Sequence, residues 1–129
     1  MSTILKLRSG LEKEIYNKYL KGTYARYESI RIPFHKVHVY KPDFVLPNGI
    51  ILEIKGKFTS FDRAKHQAVQ KQHPKLDIRF VFGFDNKLHK NSATRYSDWC
   101  KKHNFLYAVN CVPQEWLDEP KKEVTMEKI

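Results

Sequence analysis

Asp43, Glu53 and Lys55 stand within one stretch, "YKPDFVLPNGIILEIKG" over residues 40–56, that is otherwise mostly apolar. Two carboxylates and an amine suit metal-assisted hydrolysis of a phosphodiester. Mg²⁺ takes hard oxygen ligands, commonly one or two carboxylates with water and substrate phosphate completing the shell. Asp43, Glu53 and the Ile54 carbonyl would be the protein's share, with Lys55 holding or activating the attacking water and stabilising the pentacovalent phosphate. That chemistry needs the three charges on one face, and the turn between them decides the matter. Pro47-Asn48-Gly49 suits a three-residue loop, with proline at the first turn position and glycine at the left-handed bulge position, which sets Asp43 opposite Glu53. A two-residue Asn48-Gly49 loop would pair Asp43 with Ile54 and send the carboxylates to opposite faces. The composition prefers the longer loop. One face then holds Phe44, Leu46, Ile50, Leu52 and Ile54, and the other Asp43, Val45, Ile51, Glu53 and Lys55. Carboxylates facing across a ladder repel unless a cation lies between them. On periodicity alone, the commoner outcome is a solvated charged face with Lys55 pairing Glu53.

The elements around the hairpin can be read from their end signals. Ser9 followed by Glu12 is a capping box, so a helix is predicted from about Gly10 to Lys21, with Leu11, Ile15 and Tyr19 on one face and Gly22 as its stop. "YARYESIRI" reads as a strand ended by Pro33. After the hairpin, "SFDRAKHQAVQKQH" reads as a helix capped by Ser60, with Asp62 near its positive end and Pro74 just beyond it. "LDIRFVFGF" is a strand with Ile78, Phe80, Phe82 and Phe84 on one side and Arg79 and Val81 on the other. Strand, helix, strand in that order implies a parallel crossover. A third helix carries Tyr96, Trp99 and Cys100, "FLYAVNCV" is a further short strand, and the tail from about residue 118 reads as loosely attached. The expectation is one mixed α/β domain over residues 1–129, an antiparallel meander feeding a parallel crossover.

Composition narrows the partner. Lys+Arg 24 against Asp+Glu 14 gives a net charge of +10 and a pI near 9.6, which favours a polyanion, nucleic acid first. Arg63, Lys65, His66 and Lys71 on the second helix are the first candidate contacts to a DNA backbone, and Lys57, Lys87, Lys90 and Arg95 are a second group. A hydrophobic fraction of 41% with 13% aromatic residues excludes a disordered chain. No apolar run suits a membrane span and no secretory signal is evident, so a cytoplasmic protein with no membrane partner is expected, its Cys100 and Cys111 buried thiols. The six histidines show no zinc-type grouping, and no Gly-rich phosphate loop, nucleophile elbow or Cys/His relay occurs.

Pro42-Asp43, nine intervening residues, then Glu53-Ile54-Lys55 resembles the PD-(D/E)xK nuclease signature. The helix carrying Glu12 fits that superfamily's core of helix, three-strand meander, helix and parallel strand. With "RSGLE", "PDFVLPNGI", "HPKLDIRFVF" and "EWLDEPKKEV" at compatible spacing, the chain from Arg8 to Val124 resembles endonuclease I of the T-odd bacteriophages, which are Holliday-junction resolvases. The resemblance implies a Mg²⁺-dependent endodeoxyribonuclease, with Mn²⁺ substituting, that acts on four-way and branched DNA in the host cytoplasm. It implies that Asp43 and Glu53 bind metal, that Lys55 assists the nucleophile, and that Glu12 completes the metal site. It also implies a domain-swapped homodimer in which "PFHKVHVY", residues 33–40, bridges the protomers, so that each site joins Glu12 of one chain to the hairpin of the other. The family's longer basic termini are shortened here, which implies a weaker nonspecific grip on DNA. A capping glutamate at position 12 would serve helix initiation by itself. The family's acidic position before Pro33 aligns with Arg26, and Glu28 is given no role. Two other readings remain: a protein that grips branched DNA without cutting it, and a relative that nicks ordinary duplex.

Overall fold

The computed structural model describes residues 7–34 and 38–122. A five-stranded mixed sheet forms its centre, in the order β1-β4-β5-β6-β7. β1 (Arg26–Tyr27), β4 (Phe44–Val45) and β5 (Ile51–Lys55) run antiparallel, and β5, β6 (Ile78–Phe82) and β7 (Leu106–Val109) run parallel. The meander feeding a parallel crossover is therefore present, with α2 (Ser60–Gln72) as the crossover helix. β2 (Ile32–Phe34) and β3 (His38–Tyr40) form a separate antiparallel pair.

Central strands buried on both faces need apolar residues in consecutive positions. β6, "IRFVF", is buried at every residue. On one face Val45, Ile51, Ile78, Phe80 and Phe82 pack with Val69 of α2 and with Tyr96, Trp99 and Cys100 of α3 (Tyr96–Lys102). On the other, Phe44, Leu46, Leu52, Ile54 and Val81 pack with Ile15 and Leu20 of the first helix and Trp116 of α4 (Gln114–Asp118). Helices thus cover both faces. Glu53, alternating with Leu52 and Ile54, is left on the α2 face.

Several elements differ from the sequence-based expectation. The first helix is α-helical only over α1 (Gly10–Ile15) and widens to a π-helical turn over Tyr16–Leu20 before Gly22 (φ +84°) ends it. "YARYESIRI" is not one strand: Glu28 adopts φ +47° and donates its N–H to the Asp43 carbonyl at 2.9 Å, dividing β1 from β2. Pro33 lies inside β2, opposite Val39, where a two-stranded pair has an edge that tolerates a missing N–H. Thr59, not Ser60, caps α2, exchanging side-chain and backbone hydrogen bonds with Asp62 at 3.1 Å each way. Phe84 falls beyond the end of β6 and is 73% exposed. Cys100 is buried but Cys111 only half-buried, and both are thiols.

The tail is tied down as far as it is described. α4, unmarked by any strong end signal, is followed by Glu119, which binds the Arg79 guanidinium at 2.6 and 2.8 Å. Lys122 pairs with Asp77 at 2.8 Å, and Arg79 lies over the Trp116 ring. Alternating charges suggested looseness because their partners lie some 40 residues back in the chain. Residues 123–129, and residues 35–37 of the expected bridge, lie outside the described residues. Among the described residues no helix is long and apolar enough to cross a membrane.

Candidate active site

The β4–β5 hairpin closes through the three-residue loop. Gly49 donates to the Leu46 carbonyl at 2.9 Å, Leu46 donates to Ile50 at 2.8 Å, and Gly49 takes φ +92°, the left-handed position that glycine occupies without strain. Phe44 pairs with Leu52 and Val45 with Ile51, so the register continues to Asp43 opposite Glu53. Both carboxylates are buried, Asp43 at 4% exposure and Glu53 at 2%.

Their oxygens are held from several directions. Glu53 Oε2 accepts the Tyr40 hydroxyl at 2.6 Å and the Asp43 N–H at 3.2 Å. Glu53 Oε1 faces Lys55 Nζ at 3.6 Å and His66 Nε2 at 3.5 Å. Asp43 Oδ2 accepts the Ile54 N–H at 2.9 Å, and Oδ1 lies 3.3 Å from Arg8 Nη2. Arg8 also pairs with Glu28 at 2.7 Å, and Lys55 with Asp62 at 3.6 Å.

The two acids titrate apart. Burial, and then the charge of Glu53, push the Asp43 carboxyl up to about 8. Burial also raises Glu53, but His66, Lys55 and Tyr40 outweigh it and hold Glu53 down. At neutral pH the pair therefore keeps a proton on the Asp43 side, which is how two facing carboxyls avoid a double negative charge. Burial lowers Lys55, but the charges of Glu53, Asp62 and Asp43 leave it above its ordinary value, a protonated amine. Burial pushes Tyr40 well up, so the phenol keeps its proton, and lowers His66 against the opposing pull of the Glu53 charge.

Glu12, buried on α1, approaches from the other side. Its Oε1 accepts the Ser9 N–H at 3.2 Å, completing the capping box, together with the Arg8 N–H and the Tyr27 hydroxyl, each at 2.9 Å. Arg8 thus joins Glu12 through its backbone to Asp43 through its guanidinium, and the Glu12 charge adds to the upward push on Asp43. Among the described residues no three His, Cys, Asp or Glu side chains are grouped to hold a metal ion. The donor set is two facing carboxylates with the Ile54 carbonyl between Glu53 and Lys55 in sequence. An ion that keeps several waters fits that set, since it needs few protein oxygens and would relieve the repulsion that raises Asp43.

The expected DNA-contact residues divide. Lys57, Lys87, Lys90 and Arg95 come together around one hollow that begins at Gly56, the residue after Lys55. On α2, Lys71 is exposed, Arg63 is half-buried and donates to the Phe58 carbonyl at 2.8 Å, and Lys65 lies over the Tyr40 ring. His66 is the exception. At 0% exposure it cannot meet a phosphate, because with Val69, three residues on, it forms the helix's inward stripe. That spacing was visible in the sequence. Tyr40, Asp62, Arg8 and Tyr27 carried no comparable signal.

The whole chain, residues 1–129, matches the family model described as phage endonuclease I. It is 48% identical over 127 residues to "Endodeoxyribonuclease 1" of Enterobacteria phage T3, covering 94% of this chain and 83% of that protein. It is 45% identical over 128 residues to "Endonuclease I" of Escherichia phage T7, covering 95% and 85% respectively.

Proposed function

The chain belongs to the phage endonuclease I family, and from that premise we propose that it resolves four-way and branched DNA junctions by divalent-metal-dependent phosphodiester hydrolysis. The observation that carries the reading is the buried opposition of Asp43 and Glu53 beside Lys55. A protein that only gripped DNA would gain nothing from two facing acids next to its cationic surface, since carboxylates repel phosphate. The order α1, β1, β4, β5, α2, β6 supports reading the fold as a PD-(D/E)xK nuclease core.

In this reading Asp43, Glu53 and the Ile54 carbonyl would hold Mg²⁺, or Mn²⁺ in its place, and Glu12, whose Oε1 caps its helix and accepts from Tyr27, would complete the site. The bound ion supplies Lewis-acid polarisation of the phosphate and a more acidic water. Lys55, protonated, donates from Nζ to orient the attacking water and to stabilise charge on the phosphate oxygens. Lys57, Lys87, Lys90 and Arg95 hold the backbone beside the cut without reading bases. The active form is a homodimer that exchanges its N-terminal segments, and one twofold axis lets two sites cut opposed strands of a junction.

An end-labelled four-way junction and a matched linear duplex, incubated with wild type and Glu53→Ala in Mg²⁺ and in EDTA, test the reading. Paired cuts at the branch point that need metal and vanish in Glu53→Ala are expected. Junction binding without any cleavage by wild type would return the chain to the binding proteins, and equal cutting of the duplex would make it a general nickase.

A further inference from the structure

His66 is the least satisfied polar group near the site. Its ring is fully buried, and neither Nδ1 nor Nε2 makes a hydrogen bond. It stands edge-on to Tyr40 and Phe80, with ring centres 5.2 and 4.9 Å away. A buried imidazole with two unpartnered nitrogens costs stability that a leucine of similar volume would not, so packing alone gives no reason for histidine here. The acceptor it faces is Glu53 Oε1 of the β4–β5 hairpin, at 3.5 Å from Nε2.

We propose that His66, with Tyr40, is a positioning residue that fixes the Glu53 carboxylate for cation binding, His66 Nε2–H donating to Oε1 as Tyr40 Oη–H donates to Oε2. The inference rests on the nuclease reading and adds the groups that hold its key ligand. Tyr40 already makes its bond, at 2.6 Å, while His66 stands just short of a good one. Glu53 Oε1 is now shared with Lys55 Nζ at 3.6 Å. A cation held between Glu53 and Asp43 would replace the attraction of Lys55, and a small rotation of the carboxylate would bring Oε1 onto the imidazole. Nothing else among the described residues is offered to Nε2, so the donor is reserved for that arrangement. Partners that orient a metal ligand typically change metal affinity or activity by about 10- to 100-fold when removed.

Two substitutions separate positioning from packing. His66→Leu keeps the volume and removes the donor, whereas His66→Gln keeps a donor. Mn²⁺ binding without DNA, read by calorimetry, should weaken about 10- to 100-fold in His66→Leu and markedly less in His66→Gln. Thermal denaturation of cation-free His66→Leu checks that the variant is folded, so that a loss of Mn²⁺ affinity is not a loss of fold. Tyr40→Phe, which leaves no cavity, should weaken Mn²⁺ about 10-fold and serves if His66→Leu does not fold. Wild-type Mn²⁺ affinity in His66→Leu, or in Tyr40→Phe, would overturn the proposal. Mn²⁺ affinities that fall in this order across the variants, with junctions left uncut by wild type, would fail the nuclease reading alone.

Discussion

At the scale of single residues, Asp43 carries the tension of the site. Its carboxyl rises from 3.8 to about 8 because it is buried and faces Glu53. A group whose folded value is raised favours the folded state while protonated, and that contribution is lost as pH climbs from about 4 through about 8. Glu53, held low, works in the opposite direction over the acid side of its ordinary value, so the comparison must isolate Asp43. Without divalent ions, the stability advantage of Asp43→Asn over wild type should grow as pH rises from 4 to 8, and Mg²⁺ should recover wild type at the alkaline end. Parallel thermal-denaturation curves for the two proteins would contradict the assignment. Asp43, Glu53 and Lys55 were legible in sequence because a turn motif fixed which strand positions share a face. Tyr40, Asp62 and Arg8 were not, because nothing in their local spacing says what they meet.

Among the elements, the β4–β5 hairpin matters most, because a slip of one residue would part the carboxylates. Gly49 holds that register at φ +92°, and Asn48 anchors the loop, accepting from Ile50 N–H and donating to the Trp116 carbonyl at 2.8 Å. Gly49→Ala should cost about 1–3 kcal/mol of stability in chemical denaturation, with Mn²⁺ affinity kept at temperatures where the variant is folded. A loss of Mn²⁺ affinity in the folded variant would mean the loop also tunes the site directly. Element ends were the least legible feature. Ser60 and Thr59 are both capping residues by type, with Ser the better, and only the observed bonds to Asp62 choose Thr59. The division of the strand at Glu28 depends on a hydrogen bond to Asp43, which no local pattern encodes.

For the whole molecule, the proposed exchange of N-terminal segments makes a prediction that the single chain does not. Within one chain, α1 and β1 already lie on that chain's own hairpin, with β1 pairing to β4 and Glu12 reaching Asp43 through Arg8. With exchange, mixed Glu12→Ala and Glu53→Ala chains should yield heterodimers with one intact site, which nick one strand of a junction. Without it, every site carries a defect and the mixture stays inactive. Fold class, charge and the carboxylate pair were all determined by the sequence itself, since each rests on local spacing, turn chemistry or composition, and the family by its likeness to known relatives along the whole chain. What the tertiary structure alone decided is what surrounds that pair: His66 turned inward, Tyr40 bonded to Glu53, Arg8 spanning two acids, and the tail held by Arg79 and Asp77. The reason is physical. A side chain's partners come from elements tens of residues apart, and burial sets both whom it meets and how strongly its charge is felt.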